Sequence, residues 1–495
     1  MKKIIYTAIV IAFITLSCDK GFEELNVDPT KPSQVSVTSK LTSTQLFTSG
    51  ERYENWRANL IYCSTMMQHF STTAGYWAGD KYTWNKGYAS SMIDRIYGNA
   101  VKTVEDMLVQ LEEENQPEEM VAITRIMRVF IYHRLTDLYG NIPYTEAGSA
   151  VISSNFSPAY DEQSFIYLDM LNELEESAAA LGSGTSGFGS ADLFYEGDQG
   201  KWKRFAYSMM LRLGFRIIKV DPAASKEWVT KAINGGVMTS NADIAYIEHT
   251  LGPEGINRNG NGSVFLADDN MRMSKTFIDF LEGDPRLPIL AARKSDGSVD
   301  VADLKGLPNG LDSRLLTDLT GEEDTNAYAE PNRNIITGED APMFFQTYAE
   351  VEFMLAEAAI RWGLAGDPEQ HYNNGVRAAM EMLSLYGESA IIDNAKIDQY
   401  LVDNPYDASN GLELINTQYW AATFLNEYEA YANWRRTGLP NLVPVNYSGN
   451  ETNGTIPRRL TYSTSEQSIN KANYDANNAK QGPDLLTTRI WWDVE

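Results

Sequence analysis

Aromatic and polar side chains crowd one short stretch of this 495-residue chain. Tyr76, Trp77, Tyr82, Trp84 and Tyr88 fall among Gly75, Gly79, Asp80, Asn85 and Lys86 in the run TTAGYWAGDKYTWNKGY. A sugar offers an apolar C–H face that stacks on an aromatic ring and a rim of hydroxyls that pairs with planar polar groups. Trp or Tyr beside Asn or Asp therefore suits a saccharide, and Tyr76, Trp77, Tyr82, Trp84 and Asn85 are the candidate ligand-binding residues. The competing reading is that some of these rings only pin the loop to neighbouring helices.

Other chemistry is sparse. The chain has no P-loop, GxSxG elbow, HExxH or EF-hand spacing. His69, His133, His249 and His371 lie far apart, so a zinc site or a histidine-based triad would have to be assembled wholly by folding. Paired carboxylates could hydrolyse a glycoside, but among 67 acidic residues no pair stands out by spacing. The run Asp268-Asp269-Asn270 could ligate calcium through oxygen, although such runs are more often simply solvated. No catalytic residue, metal or cofactor is assigned. The formal charge of −26 argues against a nucleic-acid surface and favours neutral or cationic ligands over sulfated or uronic ones.

Lys2 and Lys3 precede a short apolar run, Ile4 to Leu16, followed by Ser17 and Cys18. That run is too short to span a bilayer and reads as a signal peptide over residues 1–17. A cysteine at this place is a bacterial lipidation site, so Cys18 is expected to carry acyl chains that hold the protein to a membrane, a plain secretory peptide being the alternative. Cys63 then has no disulfide partner and reads as a small buried hydrophobe. Residues 18–39, with Pro29 and Pro32, form an extended leader.

The elements that must position the loop are helices. Periodicity predicts them near residues 40–70, 91–114, 118–139, 165–181, 202–220, 221–233, 271–281 and 417–437. Residues 238–269 and 294–340 read as loop-rich insertions, and the C-terminus as polar turns. The clearest unit is a helical hairpin over residues 341–383. Its first helix is apolar on two flanks, with Glu350, Glu357 and Arg361 on a narrow polar stripe between them, and Gly363 and Gly366 end it. Glu350 and Glu357 are candidates to receive Arg435 or Arg436; the alternative is a solvated stripe with only a Glu357–Arg361 pair. Helix, short turn, helix is the unit of tetratricopeptide-type stacks. The fold class is therefore mainly all-α, with residues 40–495 as one helical unit carrying loop insertions.

Several segments carry a family resemblance: Cys18 with NVDPTKP soon after it, LTDLYGNIPYTEA, TYAEVEFMLAEAA, WRRTGLPNL, IPRRLTYSTSEQSIN and the final TRIWWD. Together they resemble the SusD/RagB-like outer-membrane lipoproteins of Bacteroidetes over nearly the whole chain. The segment KWKRFAYS departs from the family pattern by carrying Tyr207 where Asn is usual. The resemblance implies four tetratricopeptide-like helix pairs in a right-handed stack and a lipid-anchored, surface-exposed outer-membrane protein. It implies a lid over a SusC-type TonB-dependent transporter that captures glycans without hydrolysing them. A peptide receptor of the same family and, more remotely, a helical glycoside hydrolase are the alternatives.

Overall fold

A computed structural model describes residues 35–148, 154–252 and 255–495. The signal segment, Cys18 and most of the leader lie outside the described residues. Numbering the main helices in chain order, α1 is Val37–Ser49, capped by the Ser36 hydroxyl, which accepts from the Ser39 N–H. The predicted helix over residues 40–70 is not continuous, because Gly50 takes a positive φ of 87° and ends α1. Helical structure resumes at Arg52–Glu54 and runs directly into a π-helical stretch, Asn55–Ser64. The Asn55 amide donates to the carbonyls of Ser49 and Gly50 and so ties the two parts across the break.

The stack proper is built from α2 (Lys102–Glu113), α3 (Glu118–Tyr139), α4 (Gln163–Ala180), α5 (Gln199–Arg216) and α6 (Pro222–Gly235), each packed on the next. The Tyr207 ring lies on Gly235, where an added Cβ would fall 2.2 Å from it, so this departure from the family pattern is matched by a residue with no side chain on α6. Then α7 (Tyr348–Trp362) and α8 (Pro368–Glu381) form the expected hairpin, and α7 also packs on α5 and on α9 (Gly411–Ala422). The last main helix, α10 (Glu427–Thr437), packs on α9, α3 and the Asn55–Ser64 stretch. The predicted helix over residues 417–437 is thus two helices, separated where Leu425 adopts a φ of 71°.

Three short antiparallel pairs stitch the insertions to the stack. Phe70–Ser71 (β1) pairs with Arg272–Met273 (β3), Ala245–Ile247 (β2) with Met343–Gln346 (β6), and Ala291–Arg293 (β4) with Ala329–Pro331 (β5). The predicted helix at residues 271–281 therefore begins as a strand and is helical only over Lys275–Phe280. The loop-rich segment at residues 238–269 holds β2 and a helix at Gly260–Ala267. Two further helices, Asn394–Asp403 and Lys471–Gln481, lie outside the predicted ones, and in Lys471–Gln481 a polar composition masks any apolar period. No helix among the described residues is long and apolar enough to cross a membrane.

The polar stripe of α7 is buried. Glu357 receives the Arg436 guanidinium in a two-pronged contact, both N···O distances being 2.7 Å, and Arg361 at 2.7 Å. Glu350 has a different partner, Arg212 of α5 at 2.6 Å, and closes a capping box with Thr347. Arg435 instead lies 3.9 Å over the Tyr431 ring and donates to the Arg458 carbonyl. Burial disfavours ionised Glu357, but Arg436 and then Arg361 more than reverse this and hold its carboxyl at about 2. The difference from an unfolded value of 4.5 corresponds to about 3 kcal/mol. Glu357→Gln is expected to lower the thermal midpoint by several degrees, read by circular dichroism, because it leaves a buried guanidinium short of its counter-charge. A depressed carboxyl stabilises the fold above its unfolded pKa and loses that contribution as pH falls. In urea titrations the gap between parent and Glu357→Gln should therefore be full above about pH 5 and close as pH drops from 4.5 toward 2.

Candidate ligand-binding face

The aromatic loop is bolted down along its middle. Gly79 presses against the main chain of Ile61 and Tyr62, where an added Cβ would lie 2.4 Å from the Ile61 carbonyl oxygen, so only glycine fits. Asp80 is buried next to it and accepts from the Asn309 amide at 2.6 Å, the Gly310 N–H at 3.2 Å and the Lys81 ammonium at 3.1 Å. Lys81 also donates to the Thr72 carbonyl at 2.9 Å. A buried carboxylate with three donors and a buried ammonium with a carbonyl partner leave the loop little freedom to open.

This anchoring sorts the five predicted binding residues. Trp77 and Tyr82 are enclosed, at 0% and 1% exposure, and present no ring face to a ligand. Their part in the predicted site is corrected: with no exposed ring face they are pins of the loop. Asn85 caps the turn at Lys86–Ala89, its side-chain oxygen accepting from the Tyr88 N–H. Tyr76 and Trp84 face outward, at 37% and 41% exposure. Trp84 is steadied by a hydrogen bond from its indole N–H to the Thr461 hydroxyl at 2.9 Å.

Tyr76 belongs to a larger arrangement. One carboxylate oxygen of Asp268 accepts from the Tyr76 hydroxyl at 2.7 Å, the Trp56 indole at 2.9 Å and the Trp77 indole at 3.1 Å. The other accepts from the Asn270 main-chain and side-chain N–H groups, and the Asn270 amide also donates to the Tyr76 oxygen at 2.9 Å. Trp56 and Tyr76 stand nearly perpendicular, 77° apart with centroids 6.2 Å from each other. Burial and the neighbouring Asp268 charge push the Tyr76 phenol well above its ordinary value, so it stays a donor at physiological pH. Asp268, one of the possible calcium ligands, is thus occupied by N–H and O–H donors, and Asp269 pairs with Lys294 and Arg333.

Tyr53, half-exposed one turn before Trp56, continues the face, with Arg57 3.9 Å over its ring. Beside it opens a cleft of about 560 Å³ bordered by Arg52, Tyr53, Arg57, Arg258, Leu266 and Glu339. Trp56, Tyr53 and the cleft were missed from sequence: Trp56 lies inside an apolar helical run and reads there as core.

The histidines remain apart. His69 contacts Glu427 at 2.7 Å, His371 contacts Glu352 at 2.6 Å, and His133 contacts the Phe130 carbonyl at 2.5 Å. His249 meets the Ser49 hydroxyl at 2.7 Å, and its other ring nitrogen meets the Asn257 carbonyl; both side chains are buried, and burial pulls the imidazole below its usual value. This pair lacks both an acidic third member and access to a substrate.

A family model for SusD-like proteins, described as starch-binding and associating with the outer membrane, matches residues 29–463. Among solved structures, a chitin-binding protein is 33% identical with a TM-score of 0.84, the alignment covering 93% of this chain and 100% of that one. A Bacteroidetes SusD-like protein, AC2a, is 26% identical with a TM-score of 0.81 and the same coverage. A chitin-binding SusD homologue from Flavobacterium johnsoniae is 25% identical with a TM-score of 0.78, over 93% of this chain and 99% of that one. No curated protein matches the chain by sequence. With a match over most of its length and helical relatives of the same architecture, the chain belongs to the SusD-like family.

Proposed function

We propose that this protein is a non-catalytic, nutrient-binding lipoprotein of the outer membrane that holds glycans on the Tyr76–Trp56 face and passes them to a SusC-type TonB-dependent transporter. The observation that carries the reading is the perpendicular pair of rings fixed by Asp268 and bordered by the Asn270 amide. Rings held by hydrogen bonds lose little freedom on stacking a sugar, and the Asn270 amide at their edge matches its hydroxyls. Two relatives are named as chitin-binding, which makes chito-oligosaccharides the first ligands to try. Trp84, exposed at the other end of the loop, is assigned to the outer units of a longer chain. Acylation at Cys18 supplies the anchor, and the family's outer-membrane association supports that place for it.

Chitohexaose is expected to bind and to quench tryptophan emission. Tyr76→Ala and Trp56→Ala should each weaken it by about tenfold in calorimetry, the scale of one lost ring contact. Trp84→Ala should weaken the hexamer but not the trimer. Binding of oligopeptides with no response to any saccharide would select the peptide-receptor reading, and sustained release of products from a glycan would overturn the non-catalytic one. Asp268→Ala takes the acceptor from five donor groups, at about 2 kcal/mol or more, and should raise hydrogen exchange across residues 72–84.

A further inference from the structure

Among the described residues, nearly every exposed or half-exposed arginine is paired with a carboxylate. Arg52 and Arg57 are the exceptions, and both border the cleft beside the ring pair. Neither meets an acid: Arg57 stacks 3.9 Å over Tyr53 and 5.2 Å from the Trp56 centroid and donates to the Tyr53 carbonyl, while Arg52 lies 5.8 Å from the Trp56 centroid. The carboxylates on the same wall already have partners. Glu339 accepts from Arg258 at 3.0 Å and from the Ser263 hydroxyl at 2.6 Å, and Glu51 is paired with Arg95. The cleft therefore keeps two uncompensated guanidiniums in a chain whose formal charge is −26.

A guanidinium left without a counter-ion next to aromatic rings has a fork of donors ready for a planar or tetrahedral oxyanion. The surrounding negative charge repels anions at long range, but within a Debye length of about 8 Å the local charges dominate. We infer that the glycan taken up on the Tyr76–Trp56 face carries an anionic oxygen group, a carboxylate or a sulfate ester, which seats in the adjoining cleft against Arg52 and Arg57. This rests on the proposed glycan-binding function and reverses, for this one cleft, the ligand preference that net charge suggests. The rings contact the sugar body and the cleft its charged substituent. Because Arg57 covers both Tyr53 and Trp56, the two subsites are continuous along one helical turn.

The test compares ligands that share N-acetylhexosamine units but differ in charge: chitohexaose, a hyaluronan hexasaccharide with carboxylates only, and a keratan sulfate hexasaccharide with sulfates only. At low salt, one of the two anionic ligands should bind about tenfold tighter than chitohexaose, and which one does so separates carboxylate from sulfate. The advantage should shrink as sodium chloride rises, as expected for charges near a surface. In Arg52→Gln/Arg57→Gln the ratio of anionic to neutral affinity should fall to about one, and Arg52→Lys/Arg57→Lys should restore part of it. Circular dichroism confirms folding, and Arg52→Gln alone, at an exposed position, provides a mild second variant. If chitohexaose binds and is lost in Tyr76→Ala while neither anionic ligand gains, the inference is overturned and the glycan-binding reading stands. If no saccharide binds, both fail.

Discussion

Five charged side chains meet at the centre of the helical stack, and the packing of its main helices depends on them. Arg212 and Arg216, one turn apart on α5, reach Glu350 of α7 at 2.6 Å, Glu429 of α10 at 3.4 and 2.6 Å, and Asp137 of α3 at 3.2 Å. Tyr419 of α9 adds a hydroxyl 2.7 Å from Glu429, and the Trp492 indole of the C-terminal segment donates to Asp137 at 3.1 Å. All are buried, so each ion has given up its hydration and holds its place only through the others. Burial disfavours ionised Glu429, but Arg212 and Arg216 reverse this and keep it below the usual carboxylate range, whereas burial prevails at Asp137 and Glu350 and pushes them up. Removing one member from such a group leaves an unpaired buried charge and costs about 3–5 kcal/mol. The same geometry specifies how five helices and the chain end pack, which apolar contacts alone do less sharply.

That centre is coupled to the ligand face through α10. The Asn59 side chain, in the stretch that also carries Tyr53 and Trp56, accepts from the Glu427 N–H at 3.1 Å and donates to the Leu425 carbonyl. His69, just beyond that stretch, meets the Glu427 carboxylate at 2.7 Å while stacked on Trp420. The π-helical turn at Asn55–Ser64 sets these contacts on one side and Trp56 on the other. A wider turn of this kind, found often at functional sites, changes which residues of a helix share a face. The frame thus fixes where Trp56 stands, and Asp268 then fixes where Tyr76 stands relative to it.

The hairpin at residues 341–383 was legible because its signals are local: the polar stripe, Gly363 at a φ of 66°, and Asp367 before Pro368 lie within a few turns of one another. The Glu357–Arg436 tie was also within reach, since both ends sit in recognisable helices. Glu350 went to Arg212 instead, a partner on α5 that no spacing points to. The loop shows the same limit more sharply. Tyr76 and Trp77 are adjacent and similar in type, yet one faces solvent and the other is enclosed. The main-chain approach at Gly79 and the carboxylate of Asp268, roughly two hundred residues further on, hold this part of the loop, and neither contact can be read from the local sequence. Lys471–Gln481 escaped detection because it is largely polar and is held by specific amide contacts such as Asn477 to Asn141 and Gln481 to the Asn141 N–H.

An acidic protein could be expected to show a ligand mainly carboxylates, but around this face they are turned to structure. Asp268 is surrounded by indole, phenol and amide donors, Asp269 is held between Lys294 and Arg333, and Glu339 between Arg258 and Ser263. A carboxylate in such a setting stiffens the rings that donate to it. What remains directed outward is the opposite set: half-exposed Trp56, Tyr76 and Tyr53, the Asn270 amide, and the guanidiniums of Arg52 and Arg57. Stiff rings suit reversible capture, because their freedom is already restricted before a ligand arrives and less is lost when it binds. The division also explains how one loop can be both pinned and available: the buried Trp77 and Tyr82 hold it, and Asp268 keeps Tyr76 nearly perpendicular to Trp56.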